Sequence, residues 1–255
     1  MALRGERFVA MAIDAVTGPK RRTRIEHQAA EYWEDPDHYL WEANSHWREG
    51  IGEDAWHEVG RDHWAIFETF ARSLQSSLRL GTVVEWGCGG GANAVAFAPR
   101  AERFVGADIS DASLAECARQ VGEVCATPVE TRRIDLERPE AAAAGLDGSS
   151  STFLCLYVIE VTTGPDEVRR ILRIAERVLA PGGLAFVQMK YHTTDGRTRG
   201  RPGVRYERNL ALTTTFTIDE FWSLAGECGL EPKLVTLVPK NRLDERYAYY
   251  AMVKP

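Results

Sequence analysis

The sequence predicts a doubly wound α/β fold: a mostly parallel seven-stranded sheet with a C-terminal antiparallel hairpin and an N-terminal helical cap. Three observations carry that expectation. From residue 81 onward, short apolar runs alternate with amphipathic stretches, which is the pattern of repeated β-α units. A strand-like run at 82–86 opens directly into Gly87-Cys88-Gly89-Gly90-Gly91 and then into a helix. The last two strand-like runs, 233–238 and 247–253, are joined by a connection too short for a crossover.

The elements follow in order. Residues 1–30 carry Lys20-Arg21-Arg22 and Arg24 without a clear period, and read as a loose arm. Residues 31–64 hold five of the seven tryptophans, and 27–63 five of the six histidines, with Pro36 and Gly50 to Gly52 as breaks. Between 53 and 78, Trp56, Val59, His63, Phe67, Phe70, Leu74 and Leu78 recur every three or four residues, a helical face that Gly81 should stop. Strands are expected at 82–86, 103–107, 129–134, 153–159 and 184–189. The fourth is continuously apolar, as a strand covered on both faces should be. Helices are expected at 92–98, ended by Pro99; at 112–124, capped by Asp111; at 139–144; and at 165–179, with Pro165 in its first turn. Pro181-Gly182-Gly183 turns into the fifth strand. A polar loop at 191–214 precedes a helix at 217–228, where Thr217 and Glu220 form a capping box and Gly229 ends the helix. The chain thus divides into an arm and helical substrate cap, 1–80, and a catalytic domain, 81–255.

Composition sets bounds on function. At 255 residues and 44% hydrophobic, the chain can bury a sizeable core. A net charge of −6 argues against a protein that coats nucleic acid, because phosphate neutralisation needs a basic surface. The five cysteines form no C-x-x-C pair, so neither a disulfide framework nor a zinc site is expected, and no other metal cluster is evident. The apolar run at 8–13 is too short for a signal peptide core, and no stretch approaches the ~20 residues of a membrane helix. A reduced, cytoplasmic protein is the expectation.

Chemistry concentrates where ligands bind a doubly wound sheet, at the carboxyl ends of its strands. In Glu85-Trp86-Gly87-Cys88-Gly89-Gly90-Gly91-Ala92-Asn93, four glycines in five positions let the backbone adopt positive φ and let a ligand approach closely. The helix that follows presents free N–H groups. Gly87-x-Gly89-x-x-Ala92 also satisfies the dinucleotide fingerprint, so nucleotide class stays open at this point. Asp108, in Ala107-Asp108-Ile109-Ser110, ends the second strand 17 residues past Gly91, where a carboxylate can accept from both ribose hydroxyls or cap the next helix. Asp135, after the third strand, can accept from an adenine amine with Leu136 packed on the ring, or can cap its own turn.

Together these residues resemble the class I S-adenosylmethionine-dependent methyltransferases over residues 81–255. Glu85-x-Gly87-x-Gly89-x-Gly91 resembles their first motif, Asp108 their ribose acid, Asp135 their adenine-side acid, and Arg177-Val178-Leu179-Ala180-Pro181-Gly182-Gly183-Leu184 their turn into strand five. The resemblance implies S-adenosylmethionine as cofactor. Its site would draw on Glu85, Gly87, Cys88, Gly89, Gly91, Asn93, Asp108, Ile109, Asp135 and Leu136, with Tyr157 and Val158 beside the donor methyl. There are two departures from the family's pattern. Ser151-Thr152-Phe153 stands where many members have an acid, and Tyr157-Val158-Ile159-Glu160 replaces an Asn-Pro-Pro-Tyr type of signature. The second counts against methylation of nucleobases or of glutamine.

Candidate bases are Glu160, Tyr191 and His192 near the strand ends. Trp33, Trp41 and Trp47 are candidates for an apolar substrate wall in a cap formed by 27–64. The loop at 193–208 places five arginines in twelve positions. Arg197 and Arg201 could recognise a substrate carboxylate or phosphate, contact RNA, or stand in solvent. The leading expectation is a methyltransferase acting on a small molecule, of the kind found in secondary metabolism, with no nucleic-acid or membrane partner. A methyltransferase of RNA or protein is the alternative. A nicotinamide-dependent oxidoreductase stands further off, since Glu85 and the terminal hairpin oppose it, and a non-catalytic cofactor binder is also compatible with binding residues alone.

Overall fold

The computed structural model describes residues 24–34, 53–200, 206, 213–238 and 246–255. Within them, helix α1 covers 24–34 and α2 Glu53–Ser73. Then follow β1 (Leu80–Trp86), α3 (Ala94–Phe97), β2 (Ala101–Asp108), α4 (Asp111–Val124), β3 (Val129–Arg133), β4 (Ser150–Cys155), α5 (Pro165–Val178), β5 (Leu179–Lys190), α6 (Ile218–Glu227), β6 (Glu231–Val238) and β7 (Tyr247–Val253). The seven strands form one sheet in the order β3-β2-β1-β4-β5-β7-β6. The first five are parallel, and β7 runs antiparallel to both β5 and β6. The order reverses between β1 and β4, so the switch point of the sheet opens beside the glycine loop.

Strand side chains alternate between two cores. Val84, Trp86, Val105, Phe153, Cys155, Ala185 and Val187 face α5 and α6. Val83, Phe104, Leu154, Leu184, Phe186 and Tyr249 face α2, α3 and α4. Glu85 falls on the second face by the same period. α2 contributes Phe67, Phe70 and Ala71 to that core, and Trp56 is fully buried. Trp64 packs on Phe67 and Phe97 while the Arg100 guanidinium sits 4.2 Å from its ring. These two tryptophans and α2 therefore hold the sheet, and the cover over the strand ends comes from α1.

Several boundaries differ from the sequence expectation, each for a local reason. α2 stops at Ser73 because Gln75 takes a left-handed φ of 55° and Ser76 N–H donates back to the Ala71 carbonyl, with no glycine involved. The cap of α4 is Ser110, whose hydroxyl accepts from Ser113 N–H, and Asp111 is the first helical residue. Pro139–Ala143 is a 3₁₀ turn rather than an α-helix. β4 ends at Cys155 although the apolar run continues, because Tyr157 adopts a φ of 59°. β5 begins at Leu179, with Pro181-Gly182-Gly183 inside it, opposite a register shift on β4. The capping box of Thr217 and Glu220 is present as expected. The connection 239–245 lies outside the described residues.

α2 meets the glycine loop at Gly60, where a Cβ would stand 2.1 Å from the Ala92 carbonyl oxygen. Gly60→Ala gains helix propensity of about 1 kcal/mol but forces a backbone clash costing about 1–3 kcal/mol or more. The expected net result is a lower melting temperature, measured by calorimetry.

Candidate active site

The loop after β1 is fixed by backbone geometry. Gly87 and Cys88 N–H both donate to the Ala107 carbonyl, at 2.7 and 3.0 Å, which pins the loop to the end of β2. Gly87, Gly89 and Gly91 have φ of 74°, 51° and 96°, a region that disfavours side chains. A Cβ on Gly87 would also lie 2.3 Å from Val158 Cγ2. Asp108 completes the turn: its Oδ2 accepts from Gly89 N–H and its Oδ1 from Ser110 N–H, both at 2.9 Å. Each carboxylate oxygen keeps a second lone pair for a ligand hydroxyl. Burial raises the Asp108 carboxyl, and the backbone N–H groups oppose that rise.

Beneath the loop runs a buried polar chain. Asn93 Nδ2 donates to Glu85 Oε1 at 2.9 Å, so Asn93 Oδ1 accepts from His63 Nδ1 at 2.6 Å. His63 Nε2, 2.9 Å from the Tyr249 hydroxyl, is then the acceptor of that contact. Burial holds the His63 imidazole down at about 4 against the bond from Asn93, so the ring is neutral. Burial pushes the Glu85 carboxyl up to about 8; the Asn93 bond opposes the shift and the Asp108 charge adds to it. Glu85 Oε2 is buried with no hydrogen-bond partner among the described residues. An orphaned acid oxygen buried behind a glycine turn carries a desolvation cost, and an ammonium group is the kind of ligand group that would offset it.

A half-open cavity lies over the strand ends. Gly87, Gly89, Asp108, Ile109, Leu136, Tyr157 and Val158 line it, as do Glu167 and Trp86. Its cover comes from α1 through Ala29 and Trp33, and from Tyr206. Ile25, Ala29, Tyr32 and Tyr206 form a small core of their own, against which Trp33 and Leu136 pack. Trp33 Nε1 donates to the Tyr206 hydroxyl at 2.7 Å, and that hydroxyl donates to the Val161 carbonyl at 2.5 Å. Gln28 Oε1 accepts from Tyr206 N–H at 3.2 Å, and Arg133 pairs with Glu34.

Residues 83–183 match the family model described as a methyltransferase domain. The matched stretch runs from β1 into β5 and includes the glycine turn and Asp108. No curated protein matches the sequence. Solved structures with the same fold include the N-methyltransferase NodS of Bradyrhizobium japonicum in complex with S-adenosyl-L-homocysteine. It is 14% identical, with 91% of this chain and 98% of that one covered and a TM-score of 0.57. The 1,6-didemethyltoxoflavin-N1-methyltransferase of Burkholderia thailandensis, with its substrate and S-adenosylhomocysteine bound, is 17% identical over 76% and 77% at a TM-score of 0.57. A Haloferax volcanii protein solved with the Trm112 methyltransferase activator is 16% identical over 79% and 97% at 0.53.

The fold brings together most of the residues expected for a cofactor. Gly87, Gly89, Asp108, Ile109, Leu136, Tyr157 and Val158 share one cavity, with Glu85 and Asn93 behind it. Cys88 and Gly91 support the turn from inside the core. Asp135 lines a separate surface pocket; its Oδ1 accepts from Glu137 N–H and its Oδ2 lies 3.4 Å from Arg138, the turn-capping arrangement. The three candidate bases stand apart from the lining. Glu160 is buried, its carbonyl accepting from Thr213 and Thr214 N–H. Tyr191 pairs through its backbone with Arg246 and Phe216. His192 is buried with Nδ1 3.1 Å from the Thr215 hydroxyl and Nε2 3.7 Å from Glu220. Trp33 does face the cavity. Arg197 is 89% exposed and paired with Asp195. Trp41, Trp47 and Arg201 lie outside the described residues. Sequence reasoning missed Tyr206 and Glu167; an isolated tyrosine inside an arginine-rich loop was the one visible hint of the former.

Two outcomes follow from this geometry. Between pH 4.5 and 8 the unfolded chain loses the Glu85 proton while the folded chain keeps it, so stability falls as pH rises. From 6.5 down to 4 the unfolded chain protonates His63 while the folded chain refuses, so stability falls as pH drops. The opposing slopes leave a net alkaline decline above 6.5 of at most about 1.4 kcal/mol per pH unit, and Glu85→Gln should flatten it in denaturant titrations of the ligand-free protein. Separately, Tyr206→Phe removes the hydroxyl shared by Trp33 and Val161, which should cost about 1–3 kcal/mol locally and speed proteolysis within 24–34 while the melting temperature of the sheet holds.

Proposed function

We propose that this protein is an S-adenosylmethionine-dependent methyltransferase whose acceptor is a small molecule. The observation that carries the reading is the cavity itself. It joins a glycine turn and a paired acid at Asp108, with the orphaned acid oxygen of Glu85 buried behind the turn, to a Trp33–Tyr206 cover on the other side. It is walled largely by aromatic and aliphatic side chains, with a few polar groups among them. Its cover and the net charge of −6 suit a small ligand better than a nucleic-acid strand. One protein of the same fold, the 1,6-didemethyltoxoflavin-N1-methyltransferase, acts on a small molecule by name, which favours the same class here.

When bound, S-adenosylmethionine supplies an activated methyl group on a sulfonium. The roles left to the chain are binding, orientation and exclusion of water. Asp108 would take the ribose hydroxyls, and the loop N–H groups and Glu85 the methionine end. Glu85, neutral in the ligand-free protein at pH 7, would release its proton on meeting the ammonium group. Tyr157 would stand at the reacting end. Its left-handed backbone costs about 1–3 kcal/mol and is held by Gln188, whose Oε1 accepts from Tyr157 N–H at 2.6 Å, and by the His63 and Tyr247 rings. Holding the acceptor in line with the carbon–sulfur bond can contribute roughly 7–11 kcal/mol to the rate.

Calorimetric titration with S-adenosylmethionine, its demethylated product and a nicotinamide dinucleotide tests the cofactor. The first two should bind and the third should not, and Asp108→Ala should weaken binding by about 100-fold. Binding of the dinucleotide alone would overturn the reading. Labelled methyl transfer from the cofactor into the low-mass filtrate of an extract, rather than into its RNA or protein, tests the acceptor class.

A further inference from the structure

The cavity holds one carboxylate that none of the roles above uses. Glu167 lies in the first turn of α5 and lines the cavity together with Ile109, Leu136 and Ile171. Thr163 donates both its backbone N–H, at 2.6 Å, and its hydroxyl, at 2.7 Å, to the same oxygen, Oε2. Oε1 accepts no hydrogen bond from the described residues. The neighbouring Arg170 fastens this turn to the loop after β3. Its guanidinium donates to the carbonyls of Leu136 and Glu137 and pairs with Glu140. Glu167 is thus held rigidly beside Leu136, on the side of the cavity where Asp135 is turned away into its own loop.

We propose that Glu167, and not Asp135, is the carboxylate that accepts the exocyclic amine of the cofactor's adenine. The walls at this end are aliphatic and suit a flat heteroaromatic ring. A ring amine buried among them needs an acceptor, and among the described residues Glu167 offers a carboxylate oxygen there that the ribose acid Asp108 leaves unclaimed. Burial raises the Glu167 carboxyl, the two Thr163 donors oppose that rise, and an added N–H donor would oppose it further. The inference rests on S-adenosylmethionine being the cofactor and is independent of the acceptor.

The same geometry gives a sharp test. In Glu167→Gln the two Thr163 donors hold the amide oxygen, so the amide NH₂ is the group turned to the cavity. That NH₂ repels an adenine amine and suits a 6-oxo purine. Affinities of S-adenosylhomocysteine and its 6-oxo analogue, measured by calorimetry, give a ratio within each variant that cancels differences in stability. The wild type should prefer the 6-amino ligand by about 10- to 100-fold. Glu167→Gln should abolish or reverse the preference, and Asp135→Asn should leave it intact. A preference that persists in Glu167→Gln, or disappears in Asp135→Asn, overturns the proposal, as does a wild type that binds both ligands equally. A wild type that binds neither ligand overturns the cofactor reading, and this inference with it. Glu167→Met reads the same ratio if the glutamine variant fails to fold.

Discussion

Burying Glu85 is the constraint around which the upper half of the molecule is arranged. A carboxyl group at a core-facing position of a central strand is costly unless every neighbour compensates. Asn93 supplies one donor, His63 orients Asn93, and Tyr249 orients His63. Those four residues come from β1, the start of α3, α2 and β7, so a single acid ties together elements far apart in the chain. Asn93 occupies the cap position of α3 without capping it, because its side chain is committed to Glu85 and His63. The close approach at Gly60 is part of the same arrangement, since α2 must come near enough for His63 to reach inward.

The sheet and the glycine turn were legible in the sequence because their requirements are local. Positive φ at Gly87, Gly89 and Gly91 needs glycine, a parallel strand needs a continuous apolar run, and the terminal hairpin needs only a short connection. Asp108 was legible for the same reason, sitting at a set distance after the turn. The boundaries that escaped were set by non-glycine residues in left-handed conformations. Gln75 ends α2 and Tyr157 ends β4, and neither residue type announces such a φ. Tyr157 is the instructive case, because the apolar run through Ile159 argues for a longer strand and long-range contacts to Gln188, His63 and Tyr247 override it.

The candidate site divides along the same line. Its glycine-loop half is built from residues within about two dozen positions of one another. Its cover is built from Trp33 and Tyr206, 173 positions apart, and from Glu167 on a helix that otherwise reads as ordinary amphipathic surface and core. No spacing rule connects such residues, since only the closed sheet brings them together. The tryptophan-rich segment shows how composition misleads here. Trp56 and Trp64 were spent on the core, and among the three described tryptophans of the segment Trp33 is the one that lines the cavity.

The energetics of the cover differ from those of the sheet it sits on. The sheet is sandwiched between two large apolar cores, whereas the described part of the cover centres on Ile25, Ala29, Tyr32 and Tyr206, with Trp33 and Leu136 packed against them. Its ties to the body among the described residues include the Tyr206 hydroxyl to Val161, and Arg133 to Glu34 at a partly exposed site, where an ion pair contributes about 0–1 kcal/mol. Elements with few buried apolar contacts open at a fraction of the global unfolding free energy. On the proposed function, a ligand beneath α1 would then have a way out that leaves β1, the glycine turn and the Glu85 chain undisturbed, because the two halves of the cavity would be held by interactions of unequal strength.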